Sequence, residues 1–112
     1  DDWVIAGNGV DRIEGGLGND YMWGGEWGAD NAADTFVFAV GSGQDIVFDF
    51  EGGLDRIDLT SLHTNYDAVK AAMVDYGWAT QINFGPITGS GQDNVLLLGS
   101  GASALTQHTF IF

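Results

Sequence analysis

The sequence predicts an all-β fold with one short helix, in which a coil of stacked parallel strands continues into a β-sandwich-like C-terminal part. Three observations carry this expectation. Glycine, acidic and apolar residues recur in separate phases of one nine-residue period near the start of the chain. Eighteen glycines stand against one proline, about twice the average glycine usage of roughly 7 %, which signals frequent tight turns. Farther along, apolar residues alternate at the period of a half-buried strand, interrupted by a single stretch of helical spacing.

Composition bounds the rest. The 112 residues are 45 % hydrophobic, with seven Phe and four Trp, enough for one domain with its own core. Sixteen acids against three bases give a formal net charge of -13, which disfavours nucleic acid and anionic membrane as partners and makes cations the natural counterpart. Without cysteine there is no disulfide framework and no thiolate metal site. No apolar run approaches the roughly 20 residues needed to span a bilayer, and no cleavable N-terminal signal is visible. A chain opening on Asp1 reads as a piece excised from a larger protein. The expected organisation is one domain over 1–112, with repeats in 1–38 and a C-terminal cap in 39–112.

The repeat justifies the first elements. Asp2, Asp11 and Asp20 share the period of nine, as do Gly7, Gly16 and Gly25, the apolar Val4, Ile13 and Met22, and the pair Gly9 and Gly18. The units read "AGNGVDRIE" and "GGLGNDYMW", preceded by "DWVI" and followed by a fourth unit opening on "GG". The last three residues of a unit suffice for a short strand with its central side chain on one face, and the six before them turn the chain back. Glycine supplies the positive φ that such turns require. Two units make one coil of a parallel solenoid, so Asp2 is expected above Asp20. Carboxylates about 4.8 Å apart repel by roughly 3 kcal/mol at an effective dielectric near 20, so a cation is expected between them. Carboxylate and carbonyl oxygens converging on glycine-rich turns offer the oxygen coordination of Ca²⁺ rather than the nitrogen and sulfur ligands of softer metals.

At these residues the sequence resembles the RTX (repeats-in-toxin) family, whose calcium-binding nonapeptide is G-G-x-G-x-D-x-U-x. "GGLGNDYMW" matches every fixed position, and "AGNGVDRIE" departs only at Ala6. The stretches "AADTFVF" and "GSGQDIVFDFEGGLDRIDLTSL" look like the segment after the repeats in serralysin-type proteases and other exported bacterial proteins. The resemblance implies a calcium-dependent parallel β-roll at the C-terminal end of a larger secreted protein, exported unfolded by a type I secretion system and folded outside the cell. It implies metal sites at Asp2, Gly7, Gly9, Asp11, Gly16, Gly18, Asp20 and Gly25, holding two or more calcium ions. After Gly25 the pattern is interrupted by "EWGADNAADTFVF". Asp34, directly before the apolar strand, is preferred as the aligned acid, and Asp30 is kept as an alternative ligand.

A second acid cluster follows. Asp45, Asp49, Asp55 and Asp58 punctuate the apolar runs "IVFDF" and "RIDL", joined by Glu51, Gly52 and Gly53 as a hairpin or tight turn. Alternation puts Ile46, Phe48 and Phe50 on one face and Asp45, Val47 and Asp49 on the other. Pattern alone reads the acids as a solvated strand face. The resemblance implies that some of them close a further calcium site, with Asp34, Asp49 and Asp55 ranked ahead of Asp45 and Asp58.

In the C-terminal half, "TNYDAVKAAMVDYG" places Tyr66, Val69, Met73 and Tyr76 at helical spacing, with Thr64 and Asp67 as a capping-box-like start and Gly77 as the stop. "WATQINF" alternates as a half-buried strand, "GPITGSGQD" reads as a loop, "NVLLLG" as a strand, and "TFIF" as a last strand or an uncleaved export signal. Catalysis is hard to build from His63 and His108 without a nucleophile elbow or an i, i+4 metal pair. The expected function is therefore a non-catalytic calcium-binding domain that serves an upstream domain and meets the type I secretion machinery. The rival is a calcium-stabilised module that binds polysaccharide or a surface through Trp3, Trp23, Trp27 and Trp78; a third reading makes it an accessory domain of a secreted hydrolase.

Overall fold

Each nine-residue unit delivers one three-residue strand, and successive strands fall alternately into two sheets. The computed structural model describes residues 3–5, 7, 9–14, 16, 18–23, 33–48, 50, 54–89, 93–99, 101 and 105–112. The strands are β1 (Trp3–Ile5), β2 (Arg12–Glu14), β3 (Tyr21–Trp23), β4 (Thr35–Val37), β5 (Gln44–Val47), β6 (Arg56–Asp58), β7 (Met73–Asp75), β8 (Ala79–Asn83), β9 (Asn94–Leu98) and β10 (Phe110–Ile111). One sheet has the order β1-β3-β5-β9-β8-β7 and the other β10-β6-β4-β2. Pairing is parallel from β1 through β9 and throughout the second sheet, while β8 and β7 are added antiparallel. This is a β-roll whose first sheet widens at its C-terminal edge.

The apolar phase of the repeat explains the register. Val4 pairs with Met22, Met22 with Val47 and Val47 with Leu97 in the first sheet. Ile13, Phe36, Ile57 and Phe110 align in the second. A parallel pair slipped by one residue would turn these side chains to water, so the apolar rows fix the stacking. Both rows join one buried core with Phe38, Phe50, Leu59, Leu62, Val69, Ile82, Phe84 and Leu105. The turns before β2 and β3 hold Gly7, Gly9, Gly16 and Gly18 at φ of 91°, 104°, 84° and 93°, the left-handed region that the repeat was expected to need. Gly43 meets a second constraint: a Cβ there would lie 2.6 Å from the Gly18 carbonyl oxygen of the coil before.

Five expectations change, the last of them in part. Strands β5 and β6 enter opposite sheets, so they do not form a hairpin; each pairs with the coil before it, and residues 51–53 lie outside the described set. The faces of β5 are reversed: Asp45 and Val47 are buried while Phe48 is exposed, because Val47 continues the Met22 row. The helix is shorter than predicted. It spans Tyr66–Ala71 (α1), capped by the Asn65 side chain, which accepts from the Ala68 amide at 2.9 Å. Met73–Asp75 leave the helical pattern because they pair with Ile82, Gln81 and Thr80 as an edge strand. Within the expected loop after β8, Gly85–Thr88 form one short helix, α2, with proline in its first turn. The alternation of β8 holds in part: Thr80, Ile82 and Phe84 are buried, but Trp78 precedes the strand and is exposed.

Phe36 sits fully buried in the middle of the second sheet's apolar row. In saturating calcium, Phe36→Ala should lower stability in urea unfolding by about 3–5 kcal/mol, and a loss below about 1 kcal/mol would show that this row does not carry the sheet.

Candidate metal centre

The acids that end each turn stack along the two edges of the roll. In the second sheet's register, the residues two before Ile13, Phe36 and Ile57 are Asp11, Asp34 and Asp55. The main chain links them into a ladder. The Asp11 amide donates to Asp34 Oδ1 at 2.9 Å, and the Asp34 amide donates to Asp55 Oδ1 at 2.9 Å. The carbonyls of Asp11 and Asp34 accept from the amides of Thr35 and Arg56, each at 2.8 Å. On the other edge the Asp20 amide donates to Asp45 Oδ1 at 2.9 Å, and the Asp20 carbonyl accepts from Ile46 at 2.9 Å. Asp20, Asp34, Asp45 and Asp55 are all buried.

Each rung therefore spends one oxygen of a carboxylate on the preceding coil. Asp11 Oδ2 is buried with no hydrogen-bond partner among the described residues, an arrangement that costs free energy unless a proton or cation serves that oxygen. Burial pushes the Asp45 carboxyl up to about 7; the Asp20 amide works against the rise, and the neighbouring Asp20 and Asp93 carboxylates add to it. Burial thus disfavours the ionised form of Asp45, and a cation bound beside it would reverse that preference. Among the described residues, no three His, Cys, Asp or Glu side chains gather into a metal-binding group. A cation on these edges would draw much of its shell from main-chain carbonyls or water, which suits calcium and not the closed nitrogen and sulfur shells of structural zinc.

The structure brings Asp11, Asp34 and Asp55 together on one edge, with Gly7 and Gly9 in the turn before Asp11. It places Asp20 on the other edge, after Gly16 and Gly18. Asp2, Gly25, Asp30 and Asp49 lie outside the described residues. Asp45, ranked low from sequence, is the direct partner of Asp20. Asp58 is engaged differently: Oδ2 accepts from Arg12 Nη2 at 2.8 Å, while Oδ1 accepts from the Thr60 amide and hydroxyl at 2.9 and 2.7 Å. Burial works to raise the Asp58 carboxyl, but the Thr60 hydrogen bonds and the Arg12 guanidinium outweigh it and hold the group below the usual carboxylate value.

Sequence reasoning passed over Asp93. It is buried, and its two oxygens accept from the amides of Gly41 and Gly43 at 2.9 and 3.1 Å, pinning the turn that enters β5. A signal was present: "GSGQD" occurs at both 41–45 and 89–93. The copies are out of phase with the strand register, which sets Asp45 opposite Val95 rather than Asp93.

Comparison with known proteins agrees with this geometry. Residues 1–26 match the model of the RTX calcium-binding nonapeptide repeat, in four copies. Residues 1–26 thus carry repeats of the RTX calcium-binding type, and the parallel pairing of the described strands forms a β-roll. Among solved structures it is similar to the AlgE6R3 subunit from the Azotobacter vinelandii mannuronan C5-epimerase, at 28 % identity and a TM-score of 0.65, covering 98 % of this chain and 67 % of that one. None of the curated proteins matches the chain. No helix among the described residues is long and apolar enough to cross a membrane.

A depressed carboxyl stabilises the fold above its unfolded pKa of 3.8, and that contribution is lost as pH falls through the folded value. In saturating calcium, the stability gap between the natural protein and Asp58→Asn should be constant above about pH 5 and shrink below about pH 4. Chemical denaturation across this range checks the sign; a gap that widens toward acid would contradict the Asp58 assignment.

Proposed function

We propose that this chain is a non-catalytic calcium-folded domain of a secreted bacterial protein, in which extracellular calcium closes the repeat coils after export. The observation that carries the reading is the pair of aspartate stacks along the edges of the roll, Asp11–Asp34–Asp55 and Asp20–Asp45, all buried except the half-buried Asp11. Thirteen acids precede residue 59 against Arg12 and Arg56 alone, so without divalent ions self-repulsion opposes the compact state. Each calcium site stabilises the folded state by RT ln(1 + [L]/Kd), about 2.7 kcal/mol at one hundred times Kd. Extracellular calcium modules bind at about 10⁻⁴ to 10⁻³ M, so the chain would stay open in a low-calcium cytosol and close outside.

Two or more ions are expected. The proposed ligand residues are Asp11, Asp20, Asp34, Asp45 and Asp55, with carbonyls from the turns holding Gly7, Gly9, Gly16 and Gly18; the repeat phase adds Asp2 and Gly25, and the resemblance adds Asp30 and Asp49. Bound calcium would supply charge neutralisation and cross-linking between coils. The absence of cysteine and of any nucleophile motif supports a non-catalytic role. Similarity to a subunit of an epimerase supports a place beside a catalytic part of a larger parent. In that setting residues 1–38 form the repeat portion and 39–112 the cap, with the C-terminal end read by a type I secretion machinery.

Circular dichroism during calcium titration tests the folding step. Chelation with EGTA should abolish the β signal, calcium should restore it, and Asp20→Ala should raise the midpoint by about tenfold, the equivalent of about 1.4 kcal/mol. A fold indifferent to EGTA would overturn the proposal, and an unchanged midpoint would remove Asp20 from the ligand set. Export has a separate test: deleting 109–112 from the full-length parent should block its secretion while leaving its synthesis intact, and normal secretion would place the signal elsewhere.

A further inference from the structure

We propose that the outer face of the six-stranded sheet is a binding site for a neutral polysaccharide, laid across the strands from Trp3 toward Trp78. In β1, β3 and β5 the core takes Val4, Met22 and Val47. The alternate positions form outward rows. Trp3 pairs with Tyr21, Tyr21 with Ile46, Ile46 with Leu96, and Leu96 with Gln81.

Beside this row Trp23 and Phe48 stack at 4.4 Å between centroids with 7° between planes. Trp3 touches both rows, 5.8 Å from Tyr21 and 5.4 Å from Trp23. Four contiguous rings thus occupy the side of the sheet that the fold does not need for its core. Trp3 is 67 % exposed, and Tyr21 and Phe48 are exposed as well. A contiguous exposed apolar patch of this kind marks an interaction surface.

Amides run alongside the rings. The register sets Gln44 beside Asn94, and Asn19 Oδ1 accepts from the Gln44 main-chain N–H at 2.8 Å. A groove of about 230 Å³ lies against Asn19, Tyr21, Gln44, Gln81 and Asn94. It is continued by a hollow of about 170 Å³ at Tyr76, Trp78, Gln81 and Leu96. There the Tyr76 hydroxyl donates to Gln81 Oε1 at 3.2 Å, and Trp78 is 65 % exposed. From β3 to β8 the face crosses three strand spacings, about 14 Å, room for several sugar units of a chain.

The chemistry selects the ligand class. A pyranose presents an apolar C–H face that stacks on aromatic rings and a rim of hydroxyls that both donate and accept, as carboxamides do. Charge completes the selection. Among the described residues lining the groove and hollow the one charged side chain is Asp45, with no Lys or Arg, and the whole chain carries -13. A polyanion would be repelled, and a neutral polymer would not.

The test is native affinity electrophoresis of the full chain in saturating calcium, through gels containing glucomannan, mixed-linkage β-glucan or dextran, with polygalacturonate as the anionic control. At least one neutral polymer should retard the protein, and Trp78→Ala and Trp23→Ala should each weaken retardation at least tenfold. The calcium midpoint of Trp78→Ala should be unchanged, separating ligand loss from misfolding, and Trp23→Phe should retain binding. The proposal is overturned by no retardation in any neutral gel, by retardation insensitive to both alanine variants, or by stronger retardation in polygalacturonate. Self-association abolished by Trp23→Ala in sedimentation would also overturn it, by assigning the face to a second copy of the chain. Because the calcium titration is read separately, a failure here leaves the folding proposal standing, and the reverse also holds.

Discussion

Like-charged side chains stacked at the spacing of β-strands are the constraint on which the rest of this structure depends. A parallel coil returns every repeat position to the same place one strand farther along. Placing an acid at a fixed phase therefore builds columns such as Asp11–Asp34–Asp55, whether or not repulsion favours them. The amide-to-carboxylate hydrogen bonds hold the columns in register, but each serves only one oxygen of a carboxylate. Burial then sharpens the conflict, as the raised Asp45 carboxyl shows. The same environment that disfavours an ionised pair strengthens its attraction for a divalent cation.

This constraint matters because the repeat has little else to stand on. Each of β1, β2 and β3 turns one central side chain inward: Val4, Ile13 and Met22. One such residue in nine is a thin return against a backbone ordering cost of about 1–2 kcal/mol for each residue fixed. The later coils are different. Phe36, Phe38, Phe50, Phe84 and Phe110 supply large buried side chains, and β8 and β7 widen the first sheet. The described part of the molecule thus grades from edges governed by charge to a core governed by apolar packing. Calcium dependence should concentrate at the first end.

That gradient also explains which features the sequence makes legible. Strict periodicity is readable because every unit must satisfy the same turn: the positive φ of Gly16 and Gly18 and the inward Met22 follow from the repeat alone. The stacking of Asp34 on Asp11 was readable too, because the apolar strand after Asp34 fixes its phase. Pairing decisions made at a distance were not. Asp45 looks like a residue on a solvated face until Met22 and Val47 pair and draw it onto the Asp20 column. Met73 and Val74 continue a helical pattern locally, and only an available edge on β8 makes them a strand. Asp93 stayed hidden because its partners, Gly41 and Gly43, lie about fifty residues away and are main-chain amides without a side-chain signature.

The columns also have ends, and the residues found there account for where the charged stack stops. Next along the Asp20–Asp45 edge, the register places Val95, fully buried, where another carboxylate would stand. In the other column the strand pairing stops at Phe110 and Ile57, and the residues before Phe110, Gln107–Thr109, form a 3-10 turn instead of a further strand. A cavity of about 140 Å³ at that end is lined by Asp55, Arg56, Thr106 and His108. In register, one column thus closes on an apolar side chain and the other on a cavity edged by an imidazole and a guanidinium, while the buried Asp93 carboxylate beside Asp45 is held by the Gly41 and Gly43 amides instead. Past these ends the first sheet changes from parallel coils to the antiparallel β9-β8-β7 edge, whose strands the apolar core holds.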